Sequence, residues 1–481
     1  MTASGAPADT GERRVVMFVR NACTTDVRVL REAETLCRAG WATTIIALQT
    51  GGSKAPPDHE VRDGVVIVRV PYPSDWRKRW QGMRRYPWRW VRAVPGNAAA
   101  AVRSGPRGIR RAVGLLTAGT IVLPYAVVQR ARFMGGHRPP ARTIGQDDGW
   151  DHLAWWRYSV LGWARAAAKA APAADVYHGH DLTALPAAVD AARRHPGSVA
   201  IYDSHELFLD AGIEARQPWF ARALLRRFER RLIRKVDAVI TVNDSISDRL
   251  RERYGAPAAT IVRNAPPRQP TRTTRPDLLR PSAGIPVSAP VILYHGGFQR
   301  DRGLEVLAEA MTDTRLDAAH LVLLGFGPLE ASLQTLAAEP RFGGRIHVLS
   351  AVPPDELLER VASADVSAMP NQPRTENERL STPNKLFESI AVGTPVVSSD
   401  FPERRAIVID DPDGPLGAVC DPTRPELLGE ALAGVISLPA DAMADLRARC
   451  QRAAHERYNW EIESARLLGV YEGLWEARAT R

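Results

Sequence analysis

Cysteine is scarce in this chain, and acidic residues are missing from one long stretch of it. The four cysteines in 481 residues, Cys23, Cys37, Cys420 and Cys450, form no CxxC pair. That argues against a disulfide framework or a cysteine zinc site and fits a reducing compartment. The opening residues MTASGAPADTGERR lack the apolar core of an export signal, so the expectation is a cytoplasmic location. No repeat of solenoid period is visible. Apolar content of 45% and charged content of 25% are ordinary for a globular protein, and the length suggests two or three domains.

Between Trp76 and Gln146 there are fifteen Lys/Arg residues and no Asp or Glu. Without that segment the net charge of +10 becomes −5, from 49 basic against 54 acidic residues. The basicity is local, a property of a patch rather than of the fold. The same segment holds Trp76, Trp80, Trp88 and Trp90, and a seventeen-residue uncharged run, AVGLLTAGTIVLPYAVV, at 112–128. Arginines with tryptophans can bind nucleic acid, but no nucleic-acid motif accompanies them, so nucleic acid is not expected as a partner. A merely solvated basic loop is a second reading. The favoured one is attachment to an anionic membrane surface, by shallow insertion rather than a spanning helix.

Around this insertion, at about 73–148, helix and strand signals alternate. Apolar runs of strand length at 15–20 and 43–48 flank a helix-period segment from about Asp26 to Arg38, and the valine-rich alternation at 65–70 reads as a further strand. Later the pattern predicts helices at 151–170, 183–194, 217–235 and 244–253, and strands at 175–178, 199–202, 237–242 and 259–262. A proline- and threonine-rich linker follows, then strands near 291–295, 320–324, 346–349, 365–369 and 395–398. The βαβα order predicts two doubly wound parallel sheets. The expected division is 1–265, a linker at 266–288, a second domain at 289–459 and a last helix at 460–481.

The segment STPNKLFESIAVGTPVVSSDFP, residues 381–402, reads as a loop, a helix start, a short helix and a buried strand. Ser381, Thr382 and Asn384 are N-cap types, and Pro383 suits the first helical turn. Lys385 and Glu388 share one face. A helix N-terminus with a cation favours phosphate, and a carboxylate one turn on can take two sugar hydroxyls. Those are the needs of a nucleoside diphosphate.

This segment resembles the "PNKLFE…A.G.PVV" donor signature of GT-B glycosyltransferases of family 4, in a subgroup with an S-x-PNKLFE form. VVMFVRNACTTDVRVL, DVYHGHDLTALPAA, YDSHELF, VITVNDSISDRL and YHGGFQRDRGLEVLAEA are similar, in the same order, to further segments of that family. The resemblance implies the GT-B fold, two Rossmann-like domains facing a central cleft, with the last helix crossing back to the first domain. It implies donor contacts at Gly296, Gly297, Arg300, Gly325, Gly327, Ser381, Thr382, Asn384 and Glu388, with Glu388 on the ribose. Arg302 and Lys385 would stabilise the leaving diphosphate. The family usually has an arginine where Gly297 stands, a place Arg300 is expected to fill, and a glutamate where Leu380 stands; Glu376 and Glu378 lie out of register.

Bland readings stand beside several of these. The glycines of GFGPLE, 325–330, make a nucleotide-lining turn or simply a tight one. His178 and His180 close a strand as a metal pair, as buried structural residues or, by the resemblance, with His180 touching the transferred sugar. No third His or Cys stands at metal spacing, so no metal is expected. His205 and Glu206 face the acceptor or cap a helix; Asp26, with Arg28, faces the acceptor or caps the first helix. Asp411-Pro-Asp413 lies outside the donor motif and is not read as a metal site.

The resulting expectation is a retaining, metal-independent transferase. It needs no cofactor and moves a sugar from a nucleotide sugar to a lipid-linked or saccharide acceptor of the cell envelope. It would sit peripherally on the inner membrane face. A GT-B nucleotide-sugar epimerase and a non-catalytic sugar-nucleotide-binding subunit are the alternatives. Base, sugar and acceptor are not fixed by these motifs.

Overall fold

The computed structural model describes residues 12–51, 55–72, 127, 149–272 and 274–479. The expectations for the basic segment and the run at 112–128 therefore lie outside the described residues, Val127 aside. The chain forms two compact units. The first draws on residues up to Ser204, Gly212–Val239 and Tyr254–Ala256; the second comprises His205–Ala211, Ile240–Arg253 and the chain from Pro257 onward.

The first sheet has strand order β3-β4-β2-β1-β5-β6-β7-β8. Its strands are β1 (Arg14–Phe18), β2 (Ala42–Gln49), β3 (His59–Arg62), β4 (Val65–Pro71), β5 (Val176–His180), β6 (Val199–Ser204), β7 (Ala238–Thr241) and β8 (Thr260–Ile261). β1 pairs in parallel with β2 and β5, and β5 with β6. Only β3, hooked antiparallel on β4 at the edge, escaped the sequence pattern. Its residues HEVR are half or fully exposed, so no buried face marks them. The central strands are apolar on both faces, as parallel strands covered by helices must be. Phe18, Ile46 and Tyr177 pack with Trp163 and a row of alanines of the helices Leu161–Ala170 and Asp181–Arg194.

The expected helix over 151–170 is broken in the middle. Helix Trp150–Trp155 passes through one π-helical stretch, Trp156–Val160, before helix Leu161–Ala170. The bulky residues Trp156 and Tyr158 fall there, and Trp156 reaches inward to His152 with an indole N–H···N distance of 3.1 Å.

The second sheet has order β11-β10-β9-β12-β13-β14, with every pair parallel. Its strands are β9 (Val291–Gly297), β10 (His320–Phe326), β11 (Ile346–Ser350), β12 (Val366–Met369), β13 (Val396–Ser399) and β14 (Gly417–Cys420). β9 is central and buried, and its C-terminal end delivers the glycine loop. β14, too short and glycine-led for a pattern, was not anticipated, nor was helix Leu279–Ala283 inside the linker. The last helix, Trp460–Ala479, belongs to this unit, where Glu463 accepts from Arg263 N–H at 2.9 Å. Among the described residues no single helix is long and apolar enough to cross a membrane. The architecture is GT-B: two parallel-rich α/β Rossmann-like sheets.

Candidate functional site

The donor motif begins at a helix that starts one residue later than its sequence suggests. Pro383 occupies the N-cap with φ −72° and ψ 142°, and the helix runs Asn384–Ala391. No side chain caps it. Ser381 instead donates its hydroxyl to the Glu378 carbonyl, and Thr382 Oγ1 accepts from Asn243 Nδ2 at 2.8 Å. The reason is local: proline brings a fitting φ and no N–H of its own, so the end stays open without a capping hydroxyl. Leu386, Phe387 and Ile390 bury the inner face. Lys385 and Glu388 stay on the outer one, with Glu388 partly exposed and the Lys385 ammonium tucked against Tyr294.

Glu388 Oε2 lies 2.9 Å from Nε2 of His295, a residue of β9. That imidazole is 2% exposed, so it fixes one carboxylate oxygen and leaves the other for a ligand. The Lys385 ammonium sits 3.7 Å above the centre of the Tyr294 ring. Gly296 makes this possible: its φ is 115°, and an added Cβ would come within 3.3 Å of Lys385 Nζ. Burial, Arg302 and Arg404 hold the lysine well below its usual pKa, against the pull of Glu388 and Glu378. The site is thus short of negative charge.

The two glycine turns pack on one another. A Cβ at Gly325 would lie 1.9 Å from the Gly296 carbonyl, and one at Gly327, φ 150°, 2.5 Å from the Phe298 carbonyl. Close backbone packing therefore accounts for both glycines without a ligand. Gly297 and Phe326 are partners in register, and Phe326 is a phenyl 67% exposed beside the loop. Arg300 opens a 3-10 turn, Arg300–Arg302, and points to solvent. Arg302 turns inward, its Nη1 3.3 Å from Glu378 Oε2.

Glu378 and Arg404 are the residues that sequence reasoning missed. Glu378 lies in a short helix, Glu376–Leu380, whose cap Thr375 accepts from the Glu378 N–H. Although two positions from the family's register, its carboxylate enters the site and also accepts from Asn371 Nδ2 at 3.2 Å. The T-x-x-E spacing was a visible helix-start signal. Arg404 is 0% exposed and donates to the carbonyls of Ser381 and Glu378 at 3.3 and 3.4 Å. Its helical spacing to the buried Ile407 and Val408 would have put it on the inner face.

In the first unit, parallel register sets His180 opposite Asp203. His180 Nδ1 is 3.3 Å from Asp203 Oδ2, and the His178 and His180 rings stack at 4.3 Å. Gly179 between them leaves room for Leu185, whose Cα a Cβ would meet at 2.9 Å. Asp181, just after His180, holds φ +57°, a strained turn from strand to helix. Asp26 caps helix Val27–Arg38 through Val29 N–H and accepts from Asn21 at 2.7 Å. Arg28 is not at the surface as an acceptor-side group would be. It is 4% exposed and grips Asp203 with two nitrogens at 2.9 and 3.0 Å and Glu32 at 3.0 Å. The helix start directs it inward because two buried carboxylates need a cation. Burial opposes its charge, yet Asp203 and Glu32 together raise its pKa.

Glu32, His178, His180 and Asp203 offer ligand atoms within 4.8 Å of one another, a grouping that histidine and cysteine spacing alone did not reveal. The Arg28 guanidinium already binds both carboxylates. His205 and Glu206 belong to the second unit, where Glu206 accepts from Asn377 Nδ2 at 3.0 Å. Asp411 and Asp413 share Arg457, each at 2.7 Å, as a structural ion pair.

Residues 115–265 match the family described as Glycosyltransferase Family 4, and residues 289–437 that described as Glycosyl transferases group 1. The chain thus carries glycosyltransferase domains, one of the Family 4 type and one of the group 1 type, on a GT-B fold. A D-inositol 3-phosphate glycosyltransferase of Xylanimonas cellulosilytica is 28% identical over 265 residues, 53% of this chain and 61% of that protein. A phosphatidyl-myo-inositol mannosyltransferase of Mycobacterium tuberculosis is 31% identical over 197 residues, 39% of this chain and 48% of that protein. The matched segment therefore spans less than two thirds of the length of either of these two relatives. Among solved structures, a sucrose-phosphate synthase of Thermosynechococcus elongatus aligns over 97% of this chain and all of its own, with TM-score 0.63 and 16% identity. The Anabaena HepE protein, solved with UDP and glucose, aligns over 96% of this chain and all of its own, with TM-score 0.59 and 13% identity. These two carry the fold.

Proposed function

We propose that this chain moves a sugar from a nucleoside diphosphate sugar to a hydroxyl of a lipid-linked or other cell-envelope acceptor, retaining the anomeric configuration without a metal. The observation that carries the reading is the convergence at the C-terminal end of β9. Arg302, Lys385 and the open helix end at Asn384 meet there, with Glu388 one turn on, fixed by His295. Cations and backbone N–H groups suit a diphosphate, and an oriented carboxylate suits a ribose.

In the proposed step the bond from the anomeric carbon to the phosphate oxygen breaks, and its electron pair leaves with the diphosphate. The acceptor oxygen bonds to the same face of that carbon. Its proton passes to the departing phosphate oxygen. Arg302 and Lys385 stabilise the charge that develops on the leaving group. In this reading His180, its Nδ1 beside Asp203, contacts the hydroxyls of the transferred sugar, as the family resemblance implies. The neutral acceptor hydroxyl needs no enzymic base in this scheme.

The relatives named for inositol phosphate and phosphatidylinositol acceptors support an acceptor of lipid or cell-envelope type. Attachment to the inner membrane face rests on the fifteen-cation segment and on helix Trp219–Ile233. That helix exposes Trp219 by 81% and Leu224 by 52%, followed by exposed Arg227, Arg230 and Arg231. Thermal shift against UDP, GDP, ADP and their sugars tests the donor assignment; a donor raises the melting temperature. No shift with any of them, while the protein is folded, would sink it.

A further inference from the structure

We propose that Glu378 is the internal counter-ion of the donor site, and that the donor diphosphate displaces its carboxylate from Arg302. The inference rests on the donor reading above. Three cations, Arg302, Lys385 and Arg404, lie close enough to influence one another, and Glu378 is the carboxylate that touches Arg302 and acts electrostatically on the other two. Glu388, the other acid nearby, is engaged by His295. Arg404 is fully buried, and its Nη1 has no hydrogen-bond partner among the described residues. A buried guanidinium bonded only to neutral carbonyls depends on nearby negative charge.

Glu378 supplies that charge. It binds Arg302 at 3.3 Å and is steadied by the neutral amide of Asn371 at 3.2 Å. A diphosphate bound by Arg302 and Lys385 brings more negative charge than one carboxylate. Two anions on one guanidinium repel, so one must leave. Glu378 can leave because its main chain is fixed while its side chain is not. Arg404 holds the Glu378 carbonyl, Thr375 caps the helix, and the side chain turns about three bonds. Its return to Arg302 after transfer competes with the nucleoside diphosphate and promotes its release.

The test is calorimetry of UDP, GDP, ADP and inorganic pyrophosphate on the full chain, as wild type, Glu378→Gln, Glu378→Asp and Glu378→Gln combined with Arg302→Ala. Glu378→Gln keeps shape and removes charge. It is expected to bind the nucleoside diphosphate that fits about tenfold more tightly than wild type and to suffer stronger product inhibition. Glu378→Asp keeps the charge and stays near wild type. The gain disappears once Arg302 is also removed. A residue that merely supports the fold would lower affinity, not raise it, and circular dichroism checks that each variant is folded. Unchanged or weakened binding in Glu378→Gln, with wild type binding normally, overturns the counter-ion and leaves the donor reading standing. If wild type binds none of the four probes, both fall.

Discussion

The Lys385 ammonium rests on the face of the Tyr294 ring, 3.7 Å from its centre, at the spot that Gly296 leaves open. A ring face attracts a cation but is a weak substitute for a carboxylate. Burial and the neighbouring Arg302 therefore depress the lysine pKa, with Arg404 adding to the effect and Glu388 and Glu378 resisting it. A bound diphosphate would supply an anion and raise that depressed value. Two consequences can be measured.

The first is linked protonation. Diphosphate binding should take up a proton at Lys385 where the empty protein has lost it. Affinity should fall as pH rises from the depressed value toward the restored one, and the binding heat should depend on the ionisation enthalpy of the buffer. The sign for stability is the reverse of the usual lysine case. The unfolded chain binds the proton more readily, so the empty protein gains stability with pH between the depressed folded value and the ordinary lysine value. Lys385→Met should flatten both dependences. Buffer-independent heats in the wild type would refute the linkage.

The second concerns turnover. Lys385→Ala and Arg302→Ala should lower kcat more than they weaken nucleoside binding, because leaving-group charge peaks in the transition state. Steady-state kinetics beside nucleoside affinity make the comparison. Preserved turnover with equal losses of nucleoside and diphosphate affinity would contradict the role.

Glu388→Ala should weaken nucleotide binding by more than tenfold, about 1.4 kcal/mol or more, by deleting a charged hydrogen-bond acceptor. His295 should then lose its partner at 2.9 Å. Unaltered affinity for UDP, GDP and ADP in a folded Glu388→Ala variant would remove the ribose assignment.

In the first unit, Asp203→Asn should cost about 1–3 kcal/mol, because it takes one of two carboxylates from the buried Arg28 guanidinium and leaves Glu32. His180→Ala should cost far less stability and still lower turnover. Urea unfolding of both variants, read with their activities, separates the structural carboxylate from the proposed sugar-contacting imidazole. Equal destabilisation by both would make His180 a core residue only.

Much of this molecule is legible in its sequence, for identifiable reasons. The parallel strands announce themselves as buried apolar runs, and the PNKLFE segment carries its helix start and its charges in adjacent positions. The edge strand His59–Arg62 is invisible because it buries no face. Asp203, Glu378 and Arg404 were missed because their partners are distant in the chain: Arg28 meets Asp203 across 175 positions. Strand register and helix phase bring them together, and a motif read along the chain contains neither. Pro383 was placed one position too far into its helix, where either position suits its φ.

The last prediction concerns the membrane. Fifteen cations without local acids give a strong attraction to anionic lipid, and the tryptophans with the run at 112–128 provide apolar insertion. Helix Trp219–Ile233 adds an exposed stripe in which Trp219 and Leu224 precede Arg227, Arg230 and Arg231. The electrostatic part should weaken with salt, since screening shortens from about 10 Å at 0.1 M to about 3 Å at 1 M. Flotation on anionic and on zwitterionic vesicles would compare the intact protein, a version lacking 76–142, and Arg227→Glu/Arg231→Glu. Intact protein should float with anionic vesicles at low salt and much less with zwitterionic ones. The deletion should abolish most of that binding and the double charge reversal should reduce it, both with nucleotide affinity unchanged. If the intact protein stays in the soluble fraction at low salt, the membrane attachment is wrong, and the basic segment must serve another anionic partner.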